Sequence, residues 1–197
     1  KKIGIPYAVG YGMTECGPLI SYVASSHPSI DDRGGIAAPT IELRIDSDKP
    51  SKVPGEIQVR GDVVTLGYYK NEEATAEIFT SDGWMRTGDM GIIDSDGYLF
   101  IKGRCKSMIL GPSGQNIYPE EIESAINNMP YVIESLVIDD GGKLVALVYP
   151  DMDLAEKDNM DQAALQCKME ENIAAVNIDM PNYSKIASVR IMPEEFE

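Results

Sequence analysis

Tyr11-Gly12-Met13-Thr14-Glu15 packs a ring face, a hydroxyl and a carboxylate into five residues, with Gly10 and Gly12 flanking the ring. Glycine lets a backbone come close to a flat surface, and a tyrosine ring offers a face to stack on. Taken alone, the run also reads as a glycine-rich turn leading into a helix capped by Thr14. Two later runs change its weight: Trp84-Met85-Arg86-Thr87-Gly88-Asp89 and Gly103-Arg104-Cys105-Lys106. Thr87-Gly88-Asp89 by itself is an ordinary turn with a local acceptor, and Arg104 an ordinary surface arginine. A carboxylate is nevertheless also the usual partner of a ribose diol, because it accepts from both hydroxyls. Glu15 in turn suits magnesium, a hard ion that takes one or two carboxylates plus substrate phosphates.

Around these runs the chain divides into two kinds of pattern. Ile41-Glu42-Leu43-Arg44-Ile45 and Glu56-Ile57-Gln58-Val59-Arg60 alternate with period two, and Gly97-Tyr98-Leu99-Phe100-Ile101 follows the turn dipeptide Asp96-Gly97. A short helix interrupts at 71–76, with Asn71 as cap and acidic residues in its first turn. The first part is thus predicted to be a β-rich unit, a sandwich or distorted barrel. After Arg104 the elements alternate. A hairpin is expected around Gly111-Pro112-Ser113-Gly114, then a helix from Pro119 with Ile122, Ala125, Ile126 and Met129 on one face. Strands at 132–138 and 144–149 follow, then a helix at 161–176 striped by Leu165, Met169, Ile173 and Val176, and a last strand at 186–191. The expected fold class is α+β: a β-rich unit over residues 1–103 followed by a small α+β unit over residues 104–197.

Composition narrows the function. Seventeen basic residues against thirty-two acidic ones give a net charge of −15, which repels a phosphate backbone and argues against nucleic-acid binding. A single histidine, His27, leaves no multi-histidine zinc cluster and no second imidazole for an acid/base pair. Its setting, before Pro28 in a serine-rich stretch, is that of a loop residue. Cys16, Cys105 and Cys167 are widely spaced with no metal-ligand pattern, which favours a reducing compartment. No apolar run approaches the roughly eighteen residues needed to span a bilayer, and no signal peptide opens the chain. The expected location is cytoplasmic, with membrane contact at most peripheral. The opening Lys1-Lys2-Ile3-Gly4-Ile5-Pro6 reads as the middle of a protein.

In this order and at these spacings the three runs resemble the adenylate-forming ligases, the superfamily of acyl-CoA synthetases, luciferases and peptide-synthetase adenylation domains. The resemblance implies ATP/AMP, Mg2+ and coenzyme A as cofactors. It gives Tyr11 and Gly12 the adenine, Thr14 a phosphate oxygen, Glu15 the magnesium ion, and Asp89 and Arg104 the ribose or its phosphate. Lys106 takes the position of the hinge about which the C-terminal unit rotates between half-reactions; from its residue context it is equally a solvated lysine at a boundary. Gly114 takes the loop lining the pantetheine tunnel, or else is a hairpin glycine with positive φ. The run from Gly111 to Glu123, Pro181-Asn182-Tyr183-Ser184-Lys185-Ile186 and Pro193-Glu194-Glu195-Phe196-Glu197 look most like bacterial long-chain fatty acid–CoA ligases. The implied substrate is a long-chain fatty acid. Another acyl- or aryl-CoA ligase, a carrier-loading adenylation domain and a non-catalytic interaction module are the alternatives.

Two parts of the superfamily pattern are missing from these residues: the Ser/Thr/Gly-rich phosphate loop ending in lysine, and the lysine that follows the Phe-Glu run. The 197 residues are therefore expected to be a fragment, with an exposed face able to self-associate. Alone they should leave isotopic ATP–pyrophosphate exchange at background, and exchange clearly above it would refute that expectation.

Overall fold

The computed structural model describes residues 8–23 and 33–196; His27 and the opening residues 1–7 lie outside them. The chain forms two compact units that divide between Lys106 and Ser107. The fold is α+β in both.

The first unit contains β1 (Val9–Tyr11), β2 (Ser21–Val23), β3 (Arg33–Ala37), β4 (Glu42–Asp46), β5 (Gly55–Arg60), α1 (Glu72–Ile78), β6 (Met85–Ile93) and β7 (Leu99–Arg104). Its strands make one antiparallel sheet in the order β1-β2-β3-β7-β6-β5-β4. Among the described residues this sheet stays open, with β1 and β4 as its ends, so it does not close into a barrel. Period-two alternation reports which face a strand buries; it carries nothing about whether a sheet closes. The core consists of Cys16, Ile20, Ile41, Ile45, Ile57, Val59, Met85 and Leu99. Gln58 points the opposite way from Ile57 and Val59 and is also buried; its amide accepts from Arg44 Nε at 2.7 Å and donates to Asp46 at 3.3 Å.

The sole tryptophan, Trp84, has two guanidinium groups over its ring, Arg44 at 4.5 Å and Arg60 at 4.6 Å from the ring centre. Each arginine is aimed by a carboxylate: Arg44 donates two bonds to Asp82, and Arg60 two to Glu42. These hydrogen bonds hold both carboxyls below the usual carboxylate range, Asp82 most strongly.

The second unit contains β8 (Ile109–Leu110), β9 (Asn116–Ile117), α2 (Pro119–Asn127), β10 (Val132–Asp139), β11 (Leu144–Pro150), α3 (Met152–Lys157), α4 (Gln162–Asp179) and β12 (Ile186–Ile191). β10 and β11 pair antiparallel, β11 and β12 parallel, and α3 and α4 lie on the crossover. Pro119 opens α2, where its missing N–H costs nothing, and Glu120 and Glu121 sit at the positive end of the helix dipole. Leu165, Met169, Ile173 and Val176 of α4 bury against Ile122 and Ile126 of α2 and the inner face of the sheet. Buried Asn172 donates to the Pro130 carbonyl at 2.8 Å, and Asn177 exchanges two hydrogen bonds with the backbone of Ile186, docking α4 on β12. Helix α3 has no counterpart in the sequence reading. It is six residues long with Met152 and Leu154 exposed, so it writes no apolar stripe; the Asp151 side chain, accepting from Leu154 N–H at 2.9 Å, starts it.

Met169→Ala removes a side chain that is 1% exposed and should destabilise the chain by about 2–5 kcal/mol, read by urea denaturation. A second expectation concerns acid. Because the folded Asp82 and Glu42 hold their protons less tightly than the unfolded chain does, their contribution is present above the ordinary carboxylate range and is lost as pH falls through the folded one. Trp84 emission should change over that acid window, and Asp82→Asn should remove most of the change.

Candidate functional site

The site grows from an irregularity in β6. Opposite β5, Glu56 pairs with Met90 and Gln58 with Arg86, so Thr87, Gly88 and Asp89 together face the single residue Ile57. An insertion of this kind bends a strand and turns a side chain out of its regular direction. Gly88 takes φ of 75°, a conformation that side chains resist, and its carbonyl accepts from Cys105 N–H at 2.8 Å. Thr87 Oγ1 stitches the bulge: it donates to the Ile57 carbonyl at 2.8 Å and accepts from Asp89 N–H at 3.1 Å.

Turned in this way, Asp89 meets two partners. The Tyr11 hydroxyl donates to Asp89 Oδ2 at 2.7 Å across 78 residues of sequence, and Arg104, its register partner on β7, brings Nε to 3.4 Å from Oδ1. The Asp89 side chain is 15% exposed and that of Arg104 75% exposed. Burial pushes the Tyr11 hydroxyl well above the ordinary tyrosine range, a hydrogen bond with Thr87 opposes this, and the charge of Asp89 adds to it. Tyr11 is therefore a neutral donor at physiological pH. Each carboxylate oxygen has two lone pairs, so one donor on each leaves capacity for two more, the number a ribose diol supplies.

Tyr11 ends β1, and the loop to β2 holds the rest of the motif. Ile20 N–H closes the loop onto the Tyr11 carbonyl at 2.8 Å, and Thr14–Cys16 form a single 3-10 turn. No side chain caps that turn, so the Thr14 hydroxyl has no capping duty, and Thr14 is exposed. Gly12 is needed by the loop itself: a Cβ there would lie 1.6 Å from the Pro18 carbonyl oxygen. Cys16 is wholly buried and its thiol is pushed up to about 11, by burial first and by the charge of Glu15 second, so it is packing rather than a nucleophile. Glu15 is half-buried. Its carbonyl accepts from Thr65 N–H at 2.7 Å and its carboxylate from the Tyr68 hydroxyl at 2.7 Å.

Of the residues singled out from sequence, Tyr11, Asp89 and Arg104 come together, and Gly12, Thr14 and Glu15 occupy the loop leaving Tyr11. Lys106 is exposed and is the last residue of the first unit. Gly114 belongs to the second unit, at φ of 81° in the β8–β9 turn with open space where a Cβ would stand. The neighbouring groove, about 440 Å3, is lined by Leu110, Pro112, Lys143, Tyr183 and Lys185 among others. Thr87 and Tyr68 were not anticipated. A bulge and a contact between distant loops leave no periodic trace; the only hint of the second was the exposed aromatic pair Tyr68-Tyr69.

No group of three or more His, Cys, Asp or Glu able to cage a metal occurs among the described residues. Magnesium bound with a nucleotide does not require such a group, because substrate phosphates and water complete the shell around one or two carboxylates.

Residues 1–69 match the family profile described as AMP-binding enzyme, and residues 106–196 that of the AMP-binding enzyme C-terminal domain. A long-chain-fatty-acid–CoA ligase of Yersinia pestis is 41% identical over 66% of this chain and 23% of its own length. A 2-succinylbenzoate–CoA ligase of Bacillus cytotoxicus is 39% identical over 68% of this chain and 28% of its own. The AMP complex of O-succinylbenzoate coenzyme A synthetase from Bacillus subtilis superimposes with a TM-score of 0.77 at 26% identity, covering 97% of this chain and 38% of that one. The chain thus spans about a quarter of the length of these curated relatives. Matched by both profiles and folded like their structures, the chain belongs to the adenylate-forming, AMP-binding enzymes.

Proposed function

We propose that the intact protein to which this chain belongs is an ATP-dependent fatty acid–CoA ligase. In the first half-reaction a carboxylate oxygen of the fatty acid attacks the α-phosphorus of ATP and the bond to pyrophosphate breaks. In the second, the CoA thiol attacks the acyl carbon and AMP leaves. Both reactants of the first step are anionic, so donors are needed where charge accumulates. Exposed Thr14 supplies a hydroxyl to an α-phosphate oxygen, and Glu15 holds magnesium, which would neutralise the phosphates. Tyr11 offers its ring to adenine, its orientation fixed by the hydroxyl's bond to Asp89. Asp89 and Arg104 hold the ribose. Lys106, exposed at the boundary of the two units, is the hinge residue, and the Gly114 turn faces the pantetheine arm.

The observation that carries this reading is the Tyr11–Asp89–Arg104 cluster, gathered from three distant segments onto one bulge. A second reading, a ligase for another acid such as an aryl or dicarboxylic one, is favoured by the 2-succinylbenzoate relative, nearly as similar as the fatty-acid enzyme. Turnover of the intact protein against a panel of acids separates the two. The cytoplasm suits the reading: all three cysteines are free, and no described helix is long and apolar enough to cross a membrane.

Asp89→Asn should weaken AMP binding by about tenfold or more, the loss expected for hydrogen bonds to a charged group. Calorimetry with AMP and with 2′,3′-dideoxy-AMP checks the cause. The wild type should prefer AMP and the variant should not, whereas a preference that survives the substitution would remove Asp89 from the ribose.

A further inference from the structure

The loop from Thr65 to Asn71 holds Glu15 at both ends, by the Thr65 N–H on its carbonyl and the Tyr68 hydroxyl on Oε1. We propose that Tyr68 is a positioning residue: its hydroxyl presets the Glu15 carboxylate for a magnesium–nucleotide complex. The inference rests on the reading of Glu15 given under the proposed function.

Three observations separate this role from ordinary loop tethering. First, the loop is already secured without Glu15. Tyr68 N–H donates to Thr75 Oγ1 at 2.9 Å, Thr75 Oγ1 donates to the Asn71 carbonyl at 2.8 Å, and Tyr68 and Asn71 form a β-bridge. A Cβ on Gly67 would lie 2.4 Å from the Thr75 methyl, so loop and helix α1 pack closely there. Second, the loop is not folded to fill a core: Leu66 is 99% exposed, Tyr69 88% and Tyr68 itself 40%. Third, the bond joins two polar side chains 53 residues apart at 2.7 Å, where each could instead have been solvated by water. A glutamate has three side-chain torsions, and a fixed donor on one oxygen removes most of that freedom. The other oxygen, and the second lone pair of the first, stay open to a hard cation.

The test uses the intact protein and compares ATP affinity with and without Mn2+ by calorimetry. The ratio of the two reports what the metal adds, independently of turnover. Tyr68→Phe, which deletes the hydroxyl alone, should lower this ratio about five- to tenfold, while metal-free AMP affinity and the melting temperature stay at their wild-type values. Glu15→Gln should lower the ratio further, and adding Tyr68→Phe to it should change nothing more. An unchanged ratio in Tyr68→Phe, additive effects in the double variant, or a parallel loss of AMP affinity would each overturn the proposal. If the wild type itself gains nothing from Mn2+, the reading of Glu15 falls and takes this inference with it. A gain in the wild type that Tyr68→Phe retains sinks the inference alone.

Discussion

The hydrogen bond from Tyr11 to Asp89 is the contact on which the first unit's chemistry depends. It joins the loop between β1 and β2, at one end of the sheet, to the bulged strand β6, and it does so at a carboxylate only 15% exposed. A nearly buried carboxylate is costly without donors, and here the cost is offset by a neutral tyrosine on one side and a guanidinium on the other. Because burial keeps Tyr11 protonated, the donor does not titrate away in the physiological range. Ring orientation, carboxylate orientation and the course of the Gly12–Leu19 loop are thereby set together.

The second unit solves a different problem. It has a three-stranded sheet with one parallel pair, and a parallel pair requires a crossover. The helices α3 and α4 supply it, and the polar residues of α4 do part of the docking. Asn177 pairs with the Ile186 backbone as a strand neighbour would, so the helix end and the strand start are fixed by the same two hydrogen bonds. The apolar stripe of α4 then has one register in which it can bury.

Much of this was legible beforehand, and for physical reasons. α4 is eighteen residues long with a stripe that repeats through four buried side chains, and α2 announces itself by Pro119 and two glutamates. Strands β4 and β5 alternate cleanly because one face of each is buried against Ile20, Met85 and Leu99. What could not be read were features that depend on pairing between strands. That the sheet stays open and does not close into a barrel is decided by which edges find partners. The bulge at Thr87–Asp89 is visible only once β5 is laid beside β6. The family resemblance implied that Asp89 and Arg104 share a ligand, but their adjacency comes from the β6–β7 register. Tyr68 stayed hidden because nothing in its own neighbourhood involves Glu15. Gly12 was read as letting the backbone approach a flat ligand; that the loop itself also needs a glycine there, because a Cβ would meet the Pro18 carbonyl, is visible only in the fold.

The three thiols are graded by burial: Cys16 is sealed in the core, Cys105 is half-covered just before the unit boundary, and Cys167 stands exposed on α4. Burial, with the charges of Glu56 and Asp89, also raises Cys105 above its ordinary range. An electrophilic dye therefore meets Cys167 first and Cys105 second, and leaves Cys16 untouched. Since those two sulfurs sit in different units, a donor and an acceptor fluorophore attached in sequence make the wild-type chain its own ruler for the distance between them, with no engineered cysteine required.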